Sequence, residues 1–147
     1  MPGSRTAAPL QLQVRRVFAT SPERLFQAWT TPEELTRWHA PAPNECSRVE
    51  LDLRVGGRFL IEMGCKGTMH RASGTYRVID PPRSLTYTWQ WEHEKQEPET
   101  LITVEFRPHG TGTELVLTHT GFTSEASRDS HTEGWTGVLE SCARIHA

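Results

Sequence analysis

The chain has 147 residues, 35% of them apolar and 23% charged, with 16 Lys and Arg against 18 Asp and Glu. That length suits one domain with a real core and is too short for two. Near-balanced charge without a polybasic field argues against nucleic acid and anionic membrane as partners.

No apolar run approaches the roughly 18 residues of a bilayer span. Met1 to Pro9 lacks the apolar stretch of a signal peptide, so residues 1–9 read as a flexible tail before one domain over 10–147. Cys46, Cys65 and Cys142 are odd in number and widely spaced, against both a disulfide framework and a zinc knuckle. A reducing cytoplasm is the expected compartment.

Leu12, Val14, Arg16 and Phe18 alternate with Gln11, Gln13 and Arg15, which predicts a half-buried first strand. Ser21-Pro22-Glu23 is a helix start: a capping hydroxyl, a proline with no N–H to leave unpaired, and an acid at the positive end of the dipole. Leu25, Phe26 and Trp29 give that helix its buried face. Thr31-Pro32-Glu33-Glu34 has the spacing of a capping box and starts a second short helix carrying Leu35 and Trp38. Strands are then expected over Val49–Leu53, Phe59–Met63, Ser73–Ile79, Leu85–Trp91, Leu101–Phe106 and Glu114–Thr120, with turns at Gly56-Gly57, Gly64–Thr68, Asp80-Pro81-Pro82 and Pro108–Gly112. The charged segment Glu92–Glu99 reads as a solvated hairpin connection. Short connections imply antiparallel neighbours. Trp135, Val138, Leu139 and Cys142, spaced i, i+3, i+4 and i+7, mark a final helix that buries one stripe. The only large apolar surface left for it is one face of the sheet, so the fold class is α+β, a curved antiparallel sheet of about seven strands with a long C-terminal helix.

The order of strand, two helices, six strands and long helix carries a set of local motifs: Arg16-Val-Phe, Ala28-Trp-Thr-Thr-Pro-Glu, Leu35-Thr-Arg-Trp38, Asp52-Leu-Arg-Val-Gly-Gly-Arg-Phe59, Asp80-Pro-Pro-Arg-Ser-Leu85, His119-Thr-Gly-Phe122 and Gly134-Trp135. Together they resemble the family of activator of heat-shock-protein-90 ATPase homologues, within the START-like SRPBCC superfamily, over nearly the whole chain from about residue 10. The resemblance implies a helix-grip fold with a cavity between the long helix and the sheet. Relatives in the superfamily include polyketide cyclases, lipid carriers and antibiotic-sequestering proteins, and fold alone does not choose among them.

The inward register offers Phe59, Met63, Tyr76, Tyr87, Trp89, Trp91, Trp135 and Leu139 as lining for such a cavity, with Trp38 near its mouth. A solidly packed core is the competing reading. His119, on the apolar register of the last strand, and His131, one helical turn before Trp135, are the imidazoles that could orient a ligand or exchange a proton. Each could equally be a hydrogen-bonded structural histidine, and without a third placed ligand they do not make a zinc site. Arg16 anchors an acidic ligand, forms an ion pair or snorkels to the sheet edge. Cys142 reads as a small buried hydrophobe. Gly56-Gly57 does not lead into a helix and so is no phosphate loop, and nucleophile-elbow, zincin and Walker motifs are missing.

The expected function is therefore a cofactor-free module holding a hydrophobic or aromatic small molecule. An enzyme of polyketide cyclase or hydrolase type using His119 or His131 in the same cavity is the alternative. A chaperone-interacting module acting through its sheet face or loops is the third reading. Homodimerisation is left open.

Overall fold

The structure, a computed structural model, describes residues 10–65, 67–94 and 97–146. The expected tail over 1–9 and the middle of the charged Glu92–Glu99 segment lie outside the described residues. Alternation places Leu12 and Phe18 inward and Gln11, Gln13 and Arg15 outward on β1 (Leu10–Phe18). Two short helices follow, α1 (Pro22–Thr30) and α2 (Pro32–Trp38). Then come β2 (Glu45–Leu51), β3 (Arg58–Cys65), β4 (Thr68–Asp80), β5 (Ser84–Trp91), a 3-10 turn at Glu92–Glu94, β6 (Thr100–His109), β7 (Gly112–Phe122) and α3 (Glu125–His146). The seven strands form one antiparallel sheet in the order β1-β7-β6-β5-β4-β3-β2. This is a helix-grip architecture, with β1 paired to the strand that leads into α3.

Three local expectations are corrected. The strand expected from Ser73 starts at Thr68, because β3 and β4 turn tightly with Cys65 opposite Thr68. Within it Tyr76 faces inward as expected, and because the pairing shifts between Tyr76 and Val78, Ile79 also faces inward while Val78 is turned out. Gly74 allows β4 to press against β5 at this bend, for a Cβ there would lie 1.9 Å from the Thr88 carbonyl oxygen, and the Thr75 N–H bonds the Thr88 hydroxyl at 2.8 Å.

Leu53 lies beyond the end of β2 and is exposed. The capping box does not form either. Thr31 is at once the last cap of α1 and the first of α2, and its hydroxyl donates back to the Gln27 carbonyl at 2.8 Å. Glu34 instead pairs with Arg24 of α1 at 2.8 Å. The Ser21 cap does form, accepting from the Arg24 N–H at 3.3 Å.

Trp135, Val138, Leu139 and Cys142 are buried on the inner side of α3, whose largest sheet contact is with β1. Leu25, Phe26, Ala28 and Trp29 of α1 and Leu35 and Trp38 of α2 are buried with them. The turn after α2 is tied to α3 at two points. The Ser141 hydroxyl donates to the Ala40 carbonyl at 2.8 Å, and Pro41 packs so closely on Gly137 that a Cβ there would meet its Cβ at 2.6 Å.

Candidate functional site

Because α3 bears chiefly on β1, its first half stands away from the opposite strands and leaves a cleft of about 430 Å³. β3, β4 and β5 contribute Met63, Thr68, His70, Trp89 and Trp91. α3 contributes Ser130, His131, Gly134, Trp135 and Val138, the turn after α2 adds His39, Pro41 and Asn44, and the 3-10 turn adds His93 and Glu94. The wall exposes more apolar than polar surface, as in sites that hold small apolar molecules, but half of its lining residues are polar, among them the four histidines His39, His70, His93 and His131. Gly134 presents no side chain, and a Cβ there would meet nothing within 4 Å.

The rings form a continuous surface. Trp89 lies 5.2 Å from Trp135 and 5.5 Å from Trp91, centroid to centroid, and His39 stands edge-on to Trp135 at 5.5 Å. Two indole–imidazole hydrogen bonds hold them. The Trp135 N–H donates to His119 Nδ1 at 3.0 Å, which assigns the remaining proton to His119 Nε2, 2.6 Å from the Thr100 hydroxyl. Thr100 passes its own proton to the Trp89 carbonyl at 2.9 Å, so the side-chain polar groups of Trp135, His119 and Thr100 are all satisfied. Nearer the mouth, the Trp91 N–H donates to His131 Nε2 at 3.2 Å, and His131 Nδ1 lies 2.8 Å from the Ser127 carbonyl.

Burial keeps the inner imidazoles neutral. Loss of hydration, followed by the neighbouring His131, pushes His119 down to about 3, and burial pushes His39 down to about 4. The Tyr76 and Tyr87 phenols are raised by burial and stay protonated. Burial likewise lifts the Cys142 thiol to about 12 and Cys46 to about 11, so neither is an activated thiolate.

Five of the expected site residues, Met63, Trp89, Trp91, His131 and Trp135, line this cleft. Phe59, Tyr76 and Tyr87 line a separate chamber of about 20 Å³ deeper in the sheet. Trp38 faces neither space and packs on Trp29 at 4.8 Å. Leu139 is part of the packed stripe, and His119 lies behind Trp135. Arg16 is exposed on edge strand β1, away from the cleft. Among the described residues, no three His, Cys, Asp or Glu side chains converge to hold a metal, and no helix is long and apolar enough to cross a membrane.

Sequence reasoning passed over His39, His70, His93, Asn44 and Gly134. His39 follows the last apolar residue of a short helix and reads as a terminus. His70 lies in the stretch of β4 between the expected turn Gly64–Thr68 and the strand expected from Ser73, which was assigned to neither. Gly134 had a signal, since a glycine one position before Trp135 on a helix has to be accommodated by packing or by open space.

The profile described as "Activator of Hsp90 ATPase homolog 1-like protein" matches residues 19–147. The human activator of 90 kDa heat shock protein ATPase homolog 1 is 25% identical over 126 residues, 85% of this chain, which spans 33% of the human protein's length. Among solved structures, a Chromobacterium violaceum protein superposes with a TM-score of 0.84 at 25% identity, covering 92% of this chain and 95% of that one. The AHSA1 protein of Silicibacter pomeroyi gives 0.80 at 26% identity over 92% and 96%, and CalU16 of Micromonospora echinospora gives 0.70 at 27% over 90% and 73%. With its sheet, its two early helices and its final helix all matched in this way, the chain belongs to the family of activator of Hsp90 ATPase homolog 1-like proteins.

Proposed function

We propose that this chain is a small-molecule-binding domain whose cleft holds a flat, uncharged, hydrophobic or aromatic ligand. The observation that carries the reading is the cleft of about 430 Å³ walled by Trp89, Trp91 and Trp135. Burial of apolar ligand surface supplies the affinity, at about 25 cal/mol per Å² before the costs of association, and His131, Ser130 and Asn44 at the rim supply orientation. Indole is a suitable probe. Saturation-transfer NMR is expected to detect its binding and to place it against the Trp135 and His131 ring protons, with the signal lost in Trp89→Ala. Absence of binding by the folded protein, or binding unchanged in that variant, would overturn the reading.

Two other readings use the same chain differently. An enzyme of cyclase or hydrolase type would have to rely on His131, because His119 is neutral and has both ring nitrogens engaged behind Trp135. Contact with a chaperone is supported by the likeness to the human activator over about a third of that protein. Stimulation of chaperone ATPase activity that survives a cleft-filling substitution would favour this last reading over ligand binding.

A further inference from the structure

The last turns of α2 and α3 meet the start of β2 around a second groove, of about 330 Å³, that shares only Asn44 with the cleft. Arg37 of α2 and Arg144 of α3 line it, and both are exposed. Elsewhere most arginines are paired with a carboxylate, as Arg24 is with Glu34, Arg71 with Glu62 and Arg83 with Asp80, each within 3.1 Å. Arg37 and Arg144 form no ion pair among the described residues.

Each of the two has a glutamate one helical turn earlier, Glu33 for Arg37 and Glu140 for Arg144, at the spacing that pairs well on a helix surface. Neither pair forms. A cation in the last turn complements the negative end of the helix dipole. That accounts for an arginine at each helix end, but not for two guanidinia that line one groove in place of pairing with their own glutamates.

The rest of the groove is suited to an amphipathic anion. Trp38 is 2% exposed and part of its wall, and its indole N–H has no hydrogen-bond partner among the described residues. Cys46, a buried neutral thiol, and Ile145, 49% exposed, add apolar surface. Glu45 is the one carboxylate in the lining, so two arginines against one glutamate leave a net charge of +1. A single carboxylate neutralises that charge, and its planar shape matches the guanidinium fork.

We propose that this groove is a second binding site, for a small organic carboxylate. Arg37 and Arg144 hold the carboxylate between α2 and α3, and its apolar body lies on Ile145 and Ala42. The site stands apart from the cleft and does not depend on what the cleft holds.

Benzoate and its neutral counterpart benzamide test it. In heteronuclear NMR spectra of the wild-type chain, benzoate is expected to shift the Trp38 indole N–H and the Ile145 amide, and benzamide to leave both in place. Arg37→Gln and Arg144→Gln are each expected to weaken benzoate about threefold and together about tenfold, and Glu45→Gln to tighten it about twofold, the size expected for charges in contact with water. Benzoate shifts confined to Trp89 and Trp135, equal shifts from the two probes at Trp38 and Ile145, or an unchanged benzoate affinity in the double variant would overturn the site. The comparison of the two probes on the wild-type chain decides the matter even if a variant does not fold.

Discussion

His119 shapes the cleft without lining it. It accepts the Trp135 N–H and reaches Thr100, so it sets the angle of the indole that walls the cleft. His119→Leu leaves that N–H buried and unpaired, and a loss of about 1–3 kcal/mol is expected in urea unfolding. Its protonation has a second consequence, shared with His39. Both have folded values below the ordinary 6.5, about 3 and about 4. Their contribution is complete above pH 6.5 and is lost as pH falls, because the unfolded chain binds protons that the folded chain refuses. Each is expected to remove about 1.4 kcal/mol per pH unit below 6.5, until the folded value is reached. Thermal unfolding followed from pH 7 to pH 5 should show this slope, and replacing His119 should reduce it.

Two glycines one turn apart on α3 have opposite roles. Gly134 faces the cleft and Gly137 faces Pro41. Gly134→Ala is expected to stabilise the protein by about 0.5–1 kcal/mol through helix propensity alone. Gly134→Leu should keep that gain while filling the cleft, raising the melting temperature and abolishing indole binding. Gly137→Ala is expected to cost about 1–3 kcal/mol despite the same propensity gain, since its Cβ would fall 2.6 Å from Pro41 Cβ. Differential scanning calorimetry of the three variants checks all three signs. The stripe of Trp135, Val138, Leu139 and Cys142 was readable from spacing because a helix against a sheet must bury one face. Nothing in that spacing told the two glycines apart, since the difference lies in which remote element each meets.

At the scale of the whole molecule, the succession of strands, their antiparallel neighbours and the covering helices were legible because period-two alternation and turn residues are local, whereas the pairing of β1 with β7 joins segments about a hundred residues apart and left no local signal. The least legible part was β4, where the bulge after Tyr76 switches the inward parity and a regular alternation cannot be read through it. The cleft was legible as a set of inward aromatic residues but not as a shape. Phe59, Tyr76 and Tyr87 share a face with Trp89, yet His39, arriving from a helix about fifty residues before Trp89 in sequence, separates them. The fastening of the Ala40–Pro41 turn to α3 through Ser141 and Gly137 also governs rate. A helix tied in this way to its neighbour resists swinging like a door, so entry of a compact ligand into the proposed site is expected by ring rotations at the rim and not by a slow collective closure. Stopped-flow fluorescence of the tryptophans should then give one phase whose rate rises linearly with indole concentration, and a plateau at high concentration would reveal a hinge that this fastening forbids.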